Sequence, residues 1–148
     1  MHNWPSRSSG WPVVPIDPGH FLELARDLRG ARPIAAESEP CLRTVAGRAY
    51  YAAFLATQDV IRAAYGDPNF EVDHRPLANE LQRAGGDVAR VGLKLNSMRS
   101  ARNRADYRPA ESFSDVTAEA ALRDAQSVLQ LLPTIASRIP AGIPRKQR

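Results

Sequence analysis

The sequence predicts an all-α fold, an up-and-down bundle of four or five helices in one domain. Hydrophobic residues make up 43% of the 148 residues and aromatic residues only 7%, and this composition, rich in alanine and leucine, favours helices over a sandwich or barrel. Apolar residues recur at helical spacing in several stretches that are separated by glycine and proline. Strand-like alternation of apolar and polar residues is missing at any length.

Residues 1–16 are predicted to form an extended arm. Two Trp-Pro pairs occur there, and proline pushes the preceding residue towards extended geometry. The first helix is predicted to begin at Asp17, because aspartate is a good N-cap and Pro18 is tolerated in a first turn. Gly30 should end it. Its predicted apolar face consists of Phe21, Leu24, Ala25 and Leu28.

The second predicted helix is the longest and runs from Ser38 to Tyr65. A stripe of mostly small residues marks it, and such residues let a neighbouring helix approach closely. Two tyrosines and a phenylalanine interrupt this surface. Core packing is the favoured interpretation of these rings, although a tyrosine hydroxyl at the helix edge could bond to a charged group. The stripe comprises Ala46, Gly47, Ala49, Ala53, Ala56, Val60 and Ala64, and the rings are Tyr50, Tyr51 and Phe54.

Two further helices follow a loop over residues 66–73. The third should run from about His74 to Ala84 and end at the Gly85-Gly86 pair. Asp87 is then expected to cap the fourth helix, which Pro109 stops. The apolar positions of this helix approach a seven-residue repeat, which suits nearly antiparallel bundle packing. They are Val88, Val91, Leu95, Met98 and Ala105.

The last helix is predicted from about Asp115 to Leu132. Pro133 should break or kink it, with a turn or two continuing over residues 135–139. We expect the bundle to span residues 17–139 and residues 140–148 to be a basic, flexible tail. The predicted apolar face of the last helix consists of Val116, Ala120, Leu122, Ala125, Val128, Leu129 and Leu132.

A polar cluster occupies the end of the fourth helix, from Met98 to Tyr107. At about 100° per residue, Arg99, Arg102, Asn103 and Asp106 share one flank. Arg102 and Asp106 are one turn apart, so their side chains can touch. Arg102 also lies near the apolar face, and an arginine at the edge of a core costs free energy unless it finds a partner. The cluster is therefore either a structural ion network or a functional site.

Positive charge is concentrated in the same part of the chain. The net charge is +4 and the sequence pI is about 9.7. Between residues 87 and 109 there are six basic residues and two acidic ones. A local positive field attracts phosphates. A solvated helix face, balanced by acidic residues elsewhere, is an equally good interpretation of the charge alone.

Several kinds of chemistry are excluded by residue type and spacing. One cysteine cannot form an intrachain disulfide, which fits a reducing cytoplasm, and three scattered histidines do not make a metal site. We find no phosphate-binding glycine loop, no nucleophile elbow and no apolar run of membrane-spanning length. We expect a cytoplasmic protein without a cofactor. Arginine can still hold a phosphate, and cleavage of RNA by its own 2′-hydroxyl needs no metal.

Two motifs in order resemble the HEPN superfamily. The first is the Arg-x-Tyr-Tyr-Ala-x-Phe run from Arg48 to Phe54, and the second is the Arg-Asn-Arg-Ala-Asp-Tyr run from Arg102 to Tyr107. The start of the third helix, at Asp73-His74, matches as well. The resemblance covers roughly residues 17–135 of a chain predicted to be all-helical.

The resemblance implies a dimer whose polar motifs meet near a shared cleft. Many relatives are metal-independent endoribonucleases of toxin–antitoxin and phage-defence systems, with an arginine, often an asparagine, and a histidine a few residues on. Arg102 and Asn103 match the first half of this motif. Tyr107 occupies the place of the histidine, and a tyrosine, with a pKa of about 10, is a poor base near neutral pH. His74 could substitute for the missing imidazole if the fold brings it close.

The resemblance supports two hypotheses. In the first, the protein cleaves or binds RNA: Arg102 holds the scissile phosphate, Asn103 orients Arg102 or the substrate, and Asp106 or Tyr107 assists. Further RNA contacts would come from Arg48, Arg99 and Arg104. In the second, an Arg–Asp–Tyr network fixes a non-catalytic dimeric module. That module serves a nucleotidyltransferase-type antitoxin or a defence-complex protein, with Tyr107 as a candidate acceptor of a nucleotide.

Overall fold

A computed structural model of the chain describes residues 17–30 and 38–147 and shows an all-α bundle. The predicted arm over residues 1–16 lies outside these residues. Within the described ranges there are five α-helices and no strand, as the composition and spacing predict. The helices are α1 (Pro18–Gly30), α2 (Ser38–Tyr65), α3 (His74–Arg83), α4 (Gly86–Tyr107) and α5 (Asp115–Ile135), followed by a 3₁₀ turn over Ala136–Arg138.

The long helix α2 is the centre of the bundle. It packs against α1, α4 and α5, while α3 packs against α4, and α4 also packs against α5. The small residues Ala46, Ala49 and Ala53 are fully buried, so α2 can be covered on several sides at once. Tyr50 is 1% exposed and Phe54 7%, which confirms the core interpretation for these two rings. Ala64, at the end of the predicted stripe, is exposed.

Helix α4 buries all five positions of its predicted apolar face. Gly92 adds a close contact with α3: a Cβ atom there would lie 2.7 Å from the Ala78 carbonyl oxygen and 2.9 Å from the Gln82 nitrogen. Only a glycine lets the two backbones approach this closely. Helix α4 therefore has a fixed position against both α2 and α3.

The predicted cap of α4 is wrong by two residues. The N-cap is Gly85, with φ of 74°, and Gly86 follows with φ of 57°. Both values lie in the left-handed region, which glycine adopts without a steric penalty. Asp87 instead lies in the first turn, where its carboxylate pairs with Arg90 at 3.1 Å.

Two other predictions about the helices need correction. Pro133 does not break α5, which continues to Ile135. Pro133 removes the hydrogen bond that an N–H there would donate to the Leu129 carbonyl. Ile135 beyond it is fully buried, and this burial stabilises the last turn of α5. On the apolar faces, Leu24 is 44% exposed and Val116 72%. The buried face of α1 is centred on Leu22 and Ala25 instead.

The segment after α5 contacts the loop between α2 and α3. Ile143 is 4% exposed, and its N–H donates to the Tyr65 hydroxyl at 3.3 Å. The Lys146 N–H donates to the Glu71 carbonyl at 2.7 Å, and the Arg145 guanidinium lies 5.1 Å from the Phe70 ring centre. Flexibility of residues 140–148 stays a prediction. In the structure, Ile143 of this segment is buried in the core cluster.

The described helices do not include a membrane-spanning one. None of those in residues 17–30 and 38–147 combines the length and the apolar character that crossing a bilayer requires.

Candidate functional site

Arg102 of α4 points towards α2 and forms the centre of the site. Its Nε donates to Oδ2 of Asp106 at 3.2 Å, which confirms the predicted contact one turn along the helix. Its Nη2 donates to the Tyr51 hydroxyl at 3.1 Å. The Arg102 side chain is 16% exposed and the Asp106 side chain 43%. Arg102 is therefore a largely enclosed cation whose orientation is set by one carboxylate and one phenol.

Aromatic rings form one wall around this guanidinium. Its Cζ atom lies 5.0 Å from the Tyr51 ring centre and 5.9 Å from the Tyr50 ring centre. Such contacts stabilise a cation that has lost part of its hydration. Within residues 17–30 and 38–147, Nη1 of Arg102 donates no hydrogen bond to a protein group. Asp106 and Tyr51 thus hold the guanidinium in place, and Nη1 remains as a donor for a phosphate oxygen.

Next to Arg102, Tyr50 pairs with His74, the first residue of α3. The Tyr50 hydroxyl and Nδ1 of His74 are joined by a hydrogen bond. The two ring centres are 5.4 Å apart, and the Phe54 ring centre lies 4.1 Å from that of His74. Helix packing thus brings the imidazole next to the arginine cluster, which the sequence order alone did not establish.

Burial favours the neutral form of both groups, whereas the nearby positive charges favour it only for His74. Burial lowers the pKa of His74 below its ordinary 6.5, and the charges of Arg102, Arg99 and Lys146 lower it further, while Asp73 opposes them. Burial likewise raises the pKa of the Tyr50 hydroxyl, against smaller lowering effects of Arg102 and Arg99. A neutral imidazole beside fixed cations is free to accept a proton from another group.

The remaining predicted RNA contacts divide between two surfaces. Arg48 and Tyr51 line a cleft of about 250 Å³ that also reaches Asp106. Arg99 lies close enough to affect the pKa of His74, and its Nη2 donates to Oδ1 of Asn96 at 3.1 Å. Arg104 instead lines a groove between α4 and α5. Arg48 and Arg99 therefore border the Arg102 cluster, whereas Arg104 faces another surface.

Two predicted site residues are not part of the Arg102 network. Tyr107 is 71% exposed at the end of α4. Asn103 is half-buried, and the structure gives its side chain no hydrogen bond to the described residues, Arg102 included. No direct contact among the described residues therefore supports a role for Asn103 in orienting Arg102. The catalytic roles of Asn103 and Tyr107 stay predictions.

The sequence did not reveal the role of Arg43. Nη1 of this α2 residue donates to the carbonyls of Arg104 at 3.0 Å and Ala105 at 2.9 Å. Glu39 holds it from the other side, with 2.7 Å between Oε1 and Nη2, and the hydrogen bond from Arg43 lowers the pKa of Glu39. Arg43 thus caps the C-terminus of α4, where carbonyls have no partner within the helix.

A signal for this contact was present in α2. Arg43 follows Glu39 at the i, i+4 spacing of an ion pair, and one carboxylate cannot accept from all five N–H donors of a guanidinium. The remaining donors of Arg43 therefore need other acceptors. Without the fold, nothing identified that partner as the end of α4, more than sixty residues away in sequence.

Metal-binding side chains do not cluster in the described part of the chain. No group of three or more His, Cys, Asp or Glu residues there could hold a metal ion. The single free cysteine, Cys41, donates from Sγ to the Leu28 carbonyl at 3.2 Å and so belongs to the α1–α2 contact. The groups available near Arg102 are guanidinium, carboxylate, phenol and imidazole.

Comparison with known protein families identifies a helical domain family. The model of the HEPN domain matches residues 25–135, which include both sequence motifs, the Tyr50–His74 pair and Arg102. No curated protein and no solved structure matches the chain significantly.

Proposed function

The chain belongs to the HEPN domain family, and from this premise we propose that it acts on RNA, with Arg102 as the group that holds a phosphate. The observation that carries this proposal is the fixed, largely enclosed guanidinium of Arg102, 16% exposed, next to a Tyr–His pair. Burying a cation costs free energy unless it finds partners. Arg102 has Asp106 and Tyr51 as partners, and its Nη1 donates no hydrogen bond to the residues that the structure describes.

Charge and accessibility support a nucleic-acid ligand. The cleft at Tyr51 and Asp106 opens beside Arg102 and is flanked by the exposed Arg48. Arg99 adds a second cation on α4. A phosphodiester could accept hydrogen bonds from Arg102 while an unpaired base stacks on an aromatic side chain. Cleavage would then proceed without a metal, as in many relatives that use the 2′-hydroxyl of RNA.

The test combines toxicity with RNA cleavage. The wild type and Arg102→Ala are expressed in cells, and the purified proteins are incubated with single-stranded RNA in the presence of EDTA. We expect growth inhibition and cleavage by the wild type, with both reduced at least tenfold in Arg102→Ala. Arg83→Ala is the matched control, since its exposed ion pair with Glu80 lies on α3 away from the site. If the wild type neither binds nor cuts RNA, and Arg102→Ala leaves growth unchanged, the proposal fails.

A second candidate function rests on the exposure of Tyr107. In related toxin pairs a tyrosine near this motif accepts a nucleotide, and Tyr107, at 71% exposed, presents its hydroxyl to a partner enzyme. The protein would then be a dimeric interaction module of a toxin–antitoxin or phage-defence system in the cytoplasm. The missing histidine of the motif, with Tyr107 in its place, favours this alternative over efficient catalysis.

The two candidates are separated by mass spectrometry. The chain is co-expressed with a nucleotidyltransferase encoded beside its gene. The transfer would join the Tyr107 oxygen to the α-phosphate of a nucleoside triphosphate and release pyrophosphate. We expect a nucleotide adduct in the wild type and none in Tyr107→Phe. An unmodified Tyr107, or no such neighbouring gene, counts against the module, and sedimentation as a monomer counts against the proposed dimer.

A further inference from the structure

We propose that Nε2 of His74 is the general base of RNA cleavage at this site, taking the proton of the attacking 2′-hydroxyl. This inference rests on the RNA-directed function proposed above and adds to it the residue that performs the proton transfer. His74 lies on α3, outside the Arg102–Tyr107 motif.

The fold holds the imidazole in one orientation. Its Nδ1 is bound to the Tyr50 hydroxyl, and Phe54 packs against the ring with 4.1 Å between centres. The proposal requires that Nδ1 donates this hydrogen bond and that the Tyr50 hydroxyl accepts it. Nε2 then carries the free lone pair, as a general base requires. Tyr50 thereby acts as a positioning residue that selects the tautomer of His74.

The same tyrosine connects His74 with the phosphate-holding arginine. The His74 ring centre lies 5.4 Å from the Tyr50 ring centre, and Cζ of Arg102 lies 5.9 Å from it. The charges of both Arg102 and Arg99 act on His74. Arg102 and His74 thus both lie against Tyr50, and the proposal places the ribose next to the bound phosphate towards the imidazole.

The other acid–base groups are less suited to the task. Asp106 is already engaged by Arg102 at 3.2 Å, and the exposed Tyr107 does not contact the described Arg102 network. His20 is exposed on α1, a helix that packs against α2 and α5 rather than α4. Of the imidazoles that the structure describes, His74 is the one placed against the Arg102 cluster.

The proposed step is an internal transesterification. The 2′-oxygen of the ribose attacks the adjacent phosphorus, its proton passes to Nε2 of His74, and the bond from phosphorus to the 5′-oxygen breaks. The departing 5′-oxygen takes a proton from water. The products are a 2′,3′-cyclic phosphate and a 5′-hydroxyl, and His74 returns its proton to solvent. Arg102 stabilises the negative charge that builds up on the phosphoryl oxygens.

Every charged neighbour of His74 bears on the pH dependence. Arg102 and Arg99 face it from α4, Tyr50 from α2 and Lys146 from the C-terminal segment, whereas Asp73 precedes it. The cations outnumber the single carboxylate and disfavour imidazolium. The rate of cleavage should thus rise with pH along a limb whose midpoint lies below 6.5, the ordinary pKa of histidine.

The test measures cleavage of a fluorescein-labelled single-stranded RNA against pH, in EDTA, with RNA binding measured in parallel. DNA of the same sequence is the substrate control, because it lacks the 2′-hydroxyl. His74→Gln keeps a side chain able to bond to Tyr50, and His20→Gln is the matched histidine control. Circular dichroism checks that each variant is folded. His74→Ala is assayed with and without added imidazole.

We expect His74→Gln to bind RNA as the wild type does but to cleave it about 10²–10⁴-fold more slowly, without the acidic limb. Imidazole should partly restore His74→Ala, and His20→Gln should cleave normally. If His74→Gln cleaves RNA as fast as the wild type and shows the same rise of rate with pH, the proposed role of His74 is wrong, and the RNA-directed function is unaffected. A wild type that binds RNA without cutting it also overturns that role and leaves RNA binding intact. A wild type that does neither overturns both proposals.

Discussion

At the scale of single residues, two arginines of similar exposure have different kinds of hydrogen-bond partner. Arg102 and Arg43 both lie between α2 and α4, with side chains 16% and 13% exposed. Arg43 uses its donors on carbonyls at the end of α4 and on Glu39. Arg102 is held by one carboxylate and one phenol and keeps a donor for a ligand. In our proposal, the partners of the guanidinium, more than its burial, distinguish the capping Arg43 from the phosphate-binding Arg102.

The role of Arg43 predicts a loss of stability. Arg43→Ala should lower the free energy of unfolding by about 2 kcal/mol, because carbonyls at the end of α4 and the Glu39 carboxylate lose a charged partner. Urea denaturation measures this change. Arg108→Ala is the control: its ion pair with Glu111 is 64% and 48% exposed, so its effect should stay within about 0.5 kcal/mol. Equal denaturation midpoints for the two variants would contradict the capping role.

The lowered pKa of His74 predicts that the stability of the fold depends on pH. Its pKa is lower in the folded chain than the 6.5 expected when unfolded, so the unfolded state binds the proton more readily. The stabilisation is complete above pH 6.5 and is lost as the pH falls through the lowered pKa. Urea titrations between pH 7 and 5 should show a shallower slope in His74→Gln than in the wild type. Identical slopes would mean that burial does not disfavour the charged imidazole.

At the scale of helices, Gly92 sets the distance between α3 and α4. Gly92→Ala should destabilise the fold by about 1–3 kcal/mol, because the new Cβ meets the backbone of α3. Helix propensity alone favours alanine by about 1 kcal/mol. Gly47→Ala in α2 is the matched control, since a Cβ there meets nothing within 4 Å, and it should be neutral or stabilising. Thermal unfolding compares the two, and a stabilised Gly92→Ala would show that α3 can move away freely.

Local sequence features predicted where most helices begin and end, and each wrong prediction has a local cause. Repeats of apolar residues located α4 because its buried positions return every three or four residues. Val116 misled the prediction of the α5 face because an apolar residue in a first turn need not face the core. Pro133 misled the prediction of the end of α5 because the burial of Ile135 offsets the hydrogen bond that the proline removes. Gly85 displaced Asp87 as the cap since its positive φ favours glycine.

At the scale of the whole molecule, the site depends on contacts that local sequence cannot specify. The Arg102–Asp106 pair was predictable because both residues lie on one helix face. The contacts of Arg102 with Tyr51 and of Tyr50 with His74 join residues 51 and 24 positions apart, and they require the packing of three helices. The family resemblance indicated a motif on α4, yet His74, which the structure places beside it through Tyr50, comes from another helix.

The most direct test of the central claim, that Arg102 holds an RNA phosphate, is a fluorescence anisotropy titration of labelled single-stranded RNA. The wild type, Arg102→Ala and Arg83→Ala are compared at several salt concentrations. We predict binding by the wild type that weakens with salt, a Kd about tenfold higher for Arg102→Ala, and an unchanged Kd for Arg83→Ala. No binding by the wild type, or equal losses in the two variants, would contradict the claim.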